Sequence, residues 1–154
     1  GVKAPPVLVA ALGTQMLNVC GRMADGTITW MTGPATLSEH IVPTLKSAAT
    51  EAGRPEATRV VAGLPVCVTD DPDAARGRAS DIFAIYGHLP SYRAMLDREG
   101  AAGPADVAIV GTEQDVRDGI NRLADSGATD LAAVEFGADD RERERTRDVL
   151  RSLL

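Results

Sequence analysis

Residues 7–33 read VLVAALGTQMLNVCGRMADGTITWMTG. Two apolar runs, Val7–Ala11 and Gly26–Met31, each stop abruptly at a small or hydroxyl residue, and one helix-sized segment lies between them. The first run is continuously apolar, as in a strand covered on both faces. The segment after it places Met16, Cys20, Met23 and Ala24 on one helical face. A strand that opens through Leu12-Gly13-Thr14 straight into a helix, followed by a second strand, is a βαβ unit. Its two strands must run parallel, because a crossover helix joins them.

Working outward, the alternation continues, which is the pattern of an α/β fold with a parallel sheet. Thr36-Leu37-Ser38-Glu39 reads as a capping box, and Pro43 predicts a break, with the main helix restarting there and ending at Gly53. Arg59–Thr69 is a long third strand. Asp71-Pro72 opens a helix, with the carboxylate as cap and proline in the first turn. A helical excursion of about thirty residues, 72–103, follows before the short apolar run 107–110, and insertions of that length are uncommon unless functional. Thr112 caps the next helix, Leu131–Phe136 is the fourth strand, and Asp139 or Asp140 opens the last helix. The 154 residues suffice for a single domain, 1–154, with a real core.

The net charge of −6 and pI near 4.9 argue against a nucleic-acid surface. RERERTR, at 141–147, alternates in sign and reads as a solvated helix face. No apolar run approaches the roughly 20 residues that cross a bilayer, and GVKAPP lacks the regions of a signal peptide. Cys20, on a helical stripe, and Cys67, inside a strand, read as small buried hydrophobes of a reducing, cytoplasmic compartment. His40 and His88 show no ligand spacing, so no metal site is expected. Asp70-Asp71 is better explained by helix capping than by acid–base chemistry. Four βα units fit an open doubly wound sheet or half of a closed barrel, since a complete (β/α)₈ barrel takes about 250 residues.

The strand, glycine turn, helix ending in Ala24, Asp25-Gly26 and strand of residues 7–33 resemble the luciferase-like monooxygenase superfamily, specifically its coenzyme F420-dependent oxidoreductases. AATEAGRPE (48–56), GLPVCVTDD (63–71) and LPSYRAMLDREG (89–100) extend the similarity along the chain. The resemblance implies the C-terminal half, strands five to eight, of a TIM (β/α)₈ barrel, with the helical insertion after the third strand of this chain. It implies hydride transfer between a deazaflavin, coenzyme F420, and a small organic substrate, in a complete barrel. The isolated chain would then be inactive.

In a barrel, the loops after the strands build the active site. A tight strand-to-helix turn offers free N–H groups and a helix dipole to a phosphate. The resemblance puts the coenzyme's ribityl-phosphate end at Ala11, Leu12, Gly13 and Thr14, with Thr29, Trp30 and Met31 at the end of the next strand. His88 and Tyr92, on the insertion, are the candidate substrate residues. The rival cofactor is FMN, in a monooxygenase of the same superfamily. Two further alternatives are a non-catalytic half-barrel that serves association, and an independent doubly wound sheet. Unpaired sheet edges and inward apolar side chains (Leu8 or Val9, Ile28, Val66, Leu131) predict a homo-oligomer, such as a homodimer, or pairing with a missing N-terminal half.

Overall fold

The computed structural model describes residues 4–54 and 58–154. Pro55 and Glu56 of the 48–56 segment, and the first three residues of GVKAPP, lie outside them. In chain order the elements are β1 (Leu8–Ala10), α1 (Thr14–Met23), β2 (Gly26–Trp30) and α2 (Pro34–Thr36). A π-helical turn (Leu37–Ile41) leads from α2 into α3 (Val42–Glu51), and β3 (Arg59–Val68) follows. Next come α4 (Pro72–Ile82), a 3₁₀ turn (Ala84–Gly87), α5 (Pro90–Glu99) and α6 (Pro104–Val107). The chain closes with β4 (Ile109–Gly111), α7 (Glu113–Asp125), β5 (Asp130–Glu135) and α8 (Asp140–Arg151).

Among the described residues, five strands form one parallel sheet. Long β3 is its axis. β2 pairs with Arg59–Gly63, β5 with Val61–Val66, and β4 with Val66–Val68. β1 pairs with β2 alone and β5 with β3 alone, so each leaves an edge unpaired among the described residues. The run near 107–110, read from sequence as an apolar approach to the next unit, becomes strand β4. Thr69 N–H extends that pairing by donating to the Gly111 carbonyl.

Strand parity divides the side chains. Ala10 aligns with Ile28, Ile28 with Val61, Trp30 with Gly63, and Gly63 with Ala132, so these share one face. On that face Ile28 is 37% and Val134 41% exposed. The other face, with Val60, Ala62, Leu64 and Val66, is buried. There Cys20 of α1 reaches the Val9 carbonyl, and the Thr146 hydroxyl of α8 accepts the Val68 N–H. This corrects the inward set predicted from sequence: Leu8 and Ile28 belong to the open face, whereas Val9, Val66 and Leu131 face the helices. A shift of one residue inverts every side chain, and a short apolar run does not fix its own parity.

Helix α1 is seated differently from its predicted stripe. Leu17, Cys20, Gly21 and Ala24 are buried, while Met16 and Met23 are exposed. The cause is Gly21: a Cβ there would stand 2.5 Å from the Leu45 carbonyl oxygen and 2.9 Å from the Ala49 nitrogen. α1 therefore meets α3 nearly backbone to backbone. Gly21→Ala is expected to destabilise the chain by about 1–3 kcal/mol through overpacking, despite alanine's better helix propensity. The urea midpoint measures this, and an unchanged or raised value would mean that α1 does not sit on α3 in this way.

The α2–α3 region also departs from the sequence reading. Thr36 caps nothing; its hydroxyl donates to the Met95 carbonyl. Glu99 of α5 instead accepts the N–H groups of Ala35 and Thr36. Pro43 does not break the helix. Lacking an N–H and crowding the carbonyl four residues back, it follows a wider π turn that takes up the misfit. The other caps match expectation: Asp71, Thr112 and Asp139 each accept the backbone N–H three residues on.

Candidate functional site

The strand-to-helix turn lies at the C-terminal end of β1. Ala11 N–H bonds to the Ile28 carbonyl, and Leu17 N–H to that of Gly13. Between them Gly13 is the N-cap of α1, and no side chain caps it. The N–H groups of the first helical turn, Thr14, Gln15 and Met16, thus have no partner within the helix, and the dipole's positive end lies with them. Behind the turn the buried His40 ring donates from Nε2 to the Leu12 carbonyl at 2.8 Å.

Beside the turn, on the open face of the sheet, is a cavity of about 520 Å³. Leu12 and Gly13 form one wall, Ile28, Ala132 and Val134 the floor, and Trp30 and Tyr92 the far side. Its size is that of a small-molecule site, and its lining is mainly apolar, as such sites are. Among the described residues, Tyr92 is the one ionisable side chain of the lining.

Trp30 both packs and lines. Its ring meets Phe83 edge-on at 5.9 Å and Tyr86 at 5.8 Å, while Tyr86 contacts Tyr92 at 4.9 Å. The insertion is therefore anchored to the sheet through aromatic edge-to-face contacts, each worth roughly 0.5–1.5 kcal/mol beyond burial. The Trp30 Nε1–H is buried without an acceptor among the described residues, an uncommon state for an indole. The next residue, Met31, is fully buried with φ +55°. Such values are uncommon outside glycine, and this one ends β2 at the cavity.

Of the residues named from sequence, the structure gathers Ala11, Leu12, Gly13, Thr29, Trp30 and Tyr92 around this cavity. Thr14 begins α1 beside it. Thr29 is buried, with its hydroxyl directed to the Val61 carbonyl. Met31 does not reach the lining, and His88 is exposed beyond the 3₁₀ turn, away from it. Sequence reasoning missed Ile28, Ala132 and Val134 as its floor, although parity with Trp30 could have found them. It also missed His40, whose partner is 28 residues away.

A larger, polar cavity of about 660 Å³ lies between α7, β4 and α5. Its carboxylates are already engaged: Asp115 caps α7, Asp106 accepts the Ala102 and Gly103 N–H groups, and Glu99 holds α2. A second polar cluster joins β3 to α8. There Glu142 accepts from the Thr69 hydroxyl, the Ala138 N–H and the Arg78 guanidinium. Burial works to raise the Glu142 carboxyl, but those bonds and the Arg78 charge together hold it below its usual range. Burial, reinforced by the Glu142 charge, pushes the neighbouring Cys67 thiol up to about 11. Cys67 is thus a thiol at neutral pH and a poor nucleophile. Among the described residues no group of His, Cys, Asp or Glu is placed to hold a metal, and no helix is long and apolar enough to cross a membrane.

The model of one protein family, luciferase-like monooxygenase, matches residues 1–130. The chain belongs to the luciferase-like monooxygenase family. The uncharacterized protein Rv1360 of Mycobacterium tuberculosis is 32% identical over 101 residues, covering 62% of this chain and 30% of that protein. The fold is shared with the coenzyme F420-dependent tetrahydromethanopterin reductase of Methanopyrus kandleri. That match has TM-score 0.73 and 22% identity, over 94% of this chain and 49% of the reductase. It is also shared with the oxygenating constituent of 3,6-diketocamphane monooxygenase of Pseudomonas putida, in complex with FMN. There the TM-score is 0.62 and the identity 16%, over 94% of this chain and 46% of the other. This chain thus spans about half the length of those luciferase-like structures.

Proposed function

We propose that the chain is the coenzyme-anchoring half of a luciferase-like (β/α)₈ barrel, with β1, β2, β3 and β5 as its strands five to eight. The assembled barrel is an oxidoreductase that uses coenzyme F420 and acts on a small organic substrate. The observation that carries this reading is the uncapped turn at Leu12-Gly13-Thr14, at the mouth of an apolar cavity on the uncovered face of the sheet. The residues fit the coenzyme. Free N–H groups suit its phosphate, Gly13 leaves open space above the turn, and Trp30 with Tyr92 offers flat walls to a ring. The buried Trp30 Nε1–H is an unfilled donor at the same wall.

When bound, the deazaflavin supplies hydride chemistry, and the protein supplies position and electrostatics. On this half, the Gly13–Met16 backbone binds the phosphate end, and Trp30 and Tyr92 orient the ring or substrate. Ile28 and Val134 keep water from the floor. A proton donor, where the reaction needs one, is Tyr92 or a residue of the complementary half. His88 lies outside the lining and takes a substrate role only if the complementary half extends the entrance to it. The two buried free thiols, Cys20 and Cys67, suit a cytoplasmic protein.

FMN is the second reading, favoured by the likeness to an FMN-bound monooxygenase. Among the described residues, the lining contains no lysine or arginine. That suits the singly charged phosphodiester of the deazaflavin better than the terminal phosphomonoester of FMN, whose charge is about −1.5 to −2. Trp30, the sole tryptophan, reports on the choice. Titrating the assembled barrel with F420 is expected to quench its fluorescence. No quenching at saturation returns Trp30 to a packing role, and quenching by FMN at tenfold lower concentration replaces F420 with FMN.

A further inference from the structure

We infer that His40 is the positioning residue of the coenzyme anchor, acting through a single peptide plane; this rests on the coenzyme reading above. The Leu12 carbonyl, which accepts the His40 Nε2–H at 2.8 Å, and the Gly13 N–H belong to the same peptide unit. A peptide unit is planar and trans, so its N–H points opposite to its C=O. Holding the carbonyl toward His40 therefore aims the Gly13 N–H away from the helix layer, at the side where the cavity lies. No backbone or side-chain acceptor meets that N–H among the described residues. It joins the free donors of Thr14, Gln15 and Met16 in one cradle.

The support behind His40 is rigid. His40 is 7% exposed and lies inside the π turn Leu37–Ile41. A π turn carries an extra residue and is frequent at functional sites. Downstream, α3 packs closely against α1 at Gly21, which holds the segment that carries His40. A carbonyl can only accept, so the ring must carry its proton on Nε2. The bond also survives protonation of the ring, since both nitrogens then donate.

Three measurements test this, two on the 154-residue chain and one on the assembled barrel. First, ¹⁵N NMR of the unmodified protein is expected to show the His40 Nε2–H tautomer; an unprotonated Nε2 overturns the inference without any variant. Second, in His40→Leu the protected Ala11 and Leu17 amides, which flank the turn, should exchange at least tenfold faster. Gly21 should stay protected, and His40→Gln, which restores an N–H donor, should recover most of the difference. Unchanged exchange in a folded His40→Leu overturns the inference. Third, coenzyme F420 and FMN are titrated into the barrel assembled from this chain and its complementary half while the Gly13–Met16 amides are followed. A tenfold weaker response in His40→Leu, rescued in His40→Gln, supports the role. Equal response in wild type and His40→Leu overturns the role of His40 alone. No response from either coenzyme in the wild type overturns the coenzyme reading, and the anchoring role with it.

Discussion

Gly13→Val is expected to lower the affinity of the assembled barrel for coenzyme F420 by about a hundredfold while leaving its stability unchanged. The two halves of that statement rest on different observations. Gly13 has φ −81° and ψ 151°, an extended conformation that any residue adopts, and a Cβ there would meet no atom within 4 Å. Valine therefore brings neither strain nor clash in the ligand-free protein, and its β-branch suits extended backbone. What glycine provides is room, and a valine side chain would fill the space in which a phosphate meets the turn. Hydrogen bonds to charged groups contribute roughly 1.5–3 kcal/mol each, so losing one or two costs about 2.7 kcal/mol, or two decades of affinity. Calorimetric titration and urea unfolding of the same variant separate the outcomes. Native stability with native affinity would remove the turn from the site, and lost stability would mean that the turn is not built as described.

The chain's local chemistry was legible where one residue type has one strong use. Asp71 before Pro72 and Thr112 cap the helices they were read to cap, and of the pair Asp139 or Asp140 it is Asp139 that caps the last. The βαβ reading of 7–33 holds because a tight turn and a helix-sized gap admit only parallel strands. What was not legible depends on partners far away in sequence. Thr36 and Glu39 form a plausible local cap, but Glu99, more than sixty residues on, takes that place. The stripe of α1 was misread because its closest contact is a glycine, which carries no hydrophobic signal. In the candidate site, the turn and Trp30 were named through the family resemblance, which the strand ends alone do not supply. The floor needed the register between β2, β3 and β5, and His40 needed the π turn, which a proline after a helical segment does not announce. Parity and long-range pairing are tertiary facts, so short apolar runs left them open.

The isolated 154-residue chain is expected to sediment at micromolar concentration as a dimer rather than a compact monomer. Both sheet edges argue for this. β1 leaves one side unpaired, and beside it Met16, Val19 and Met23 of α1 are exposed. β5 leaves the other unpaired, beside a groove of Ile120, Leu131 and Leu150 near exposed Leu153 and Leu154. Between the edges lies the open face with Ile28 and Val134. Unpaired edges are templates for pairing, and exposed apolar patches above a few hundred Å² mark association surfaces. Burying about 400 Å² of such surface would contribute roughly 10 kcal/mol at 25 cal/mol per Å², enough to offset the lower part of the 4–15 kcal/mol that association costs. A two-fold axis running along the strands would set β1 of one copy beside β5 of the other, twice, and keep every strand parallel, as a closed isologous dimer requires. On the half-barrel reading, a complementary N-terminal half, when added, should displace that partner, because it would offer the same edges with matched side chains. Sedimentation velocity with and without that half measures both steps. A monomer that unfolds cooperatively at micromolar concentration and ignores the added half would show that this sheet is complete in itself, and the half-barrel reading would fall.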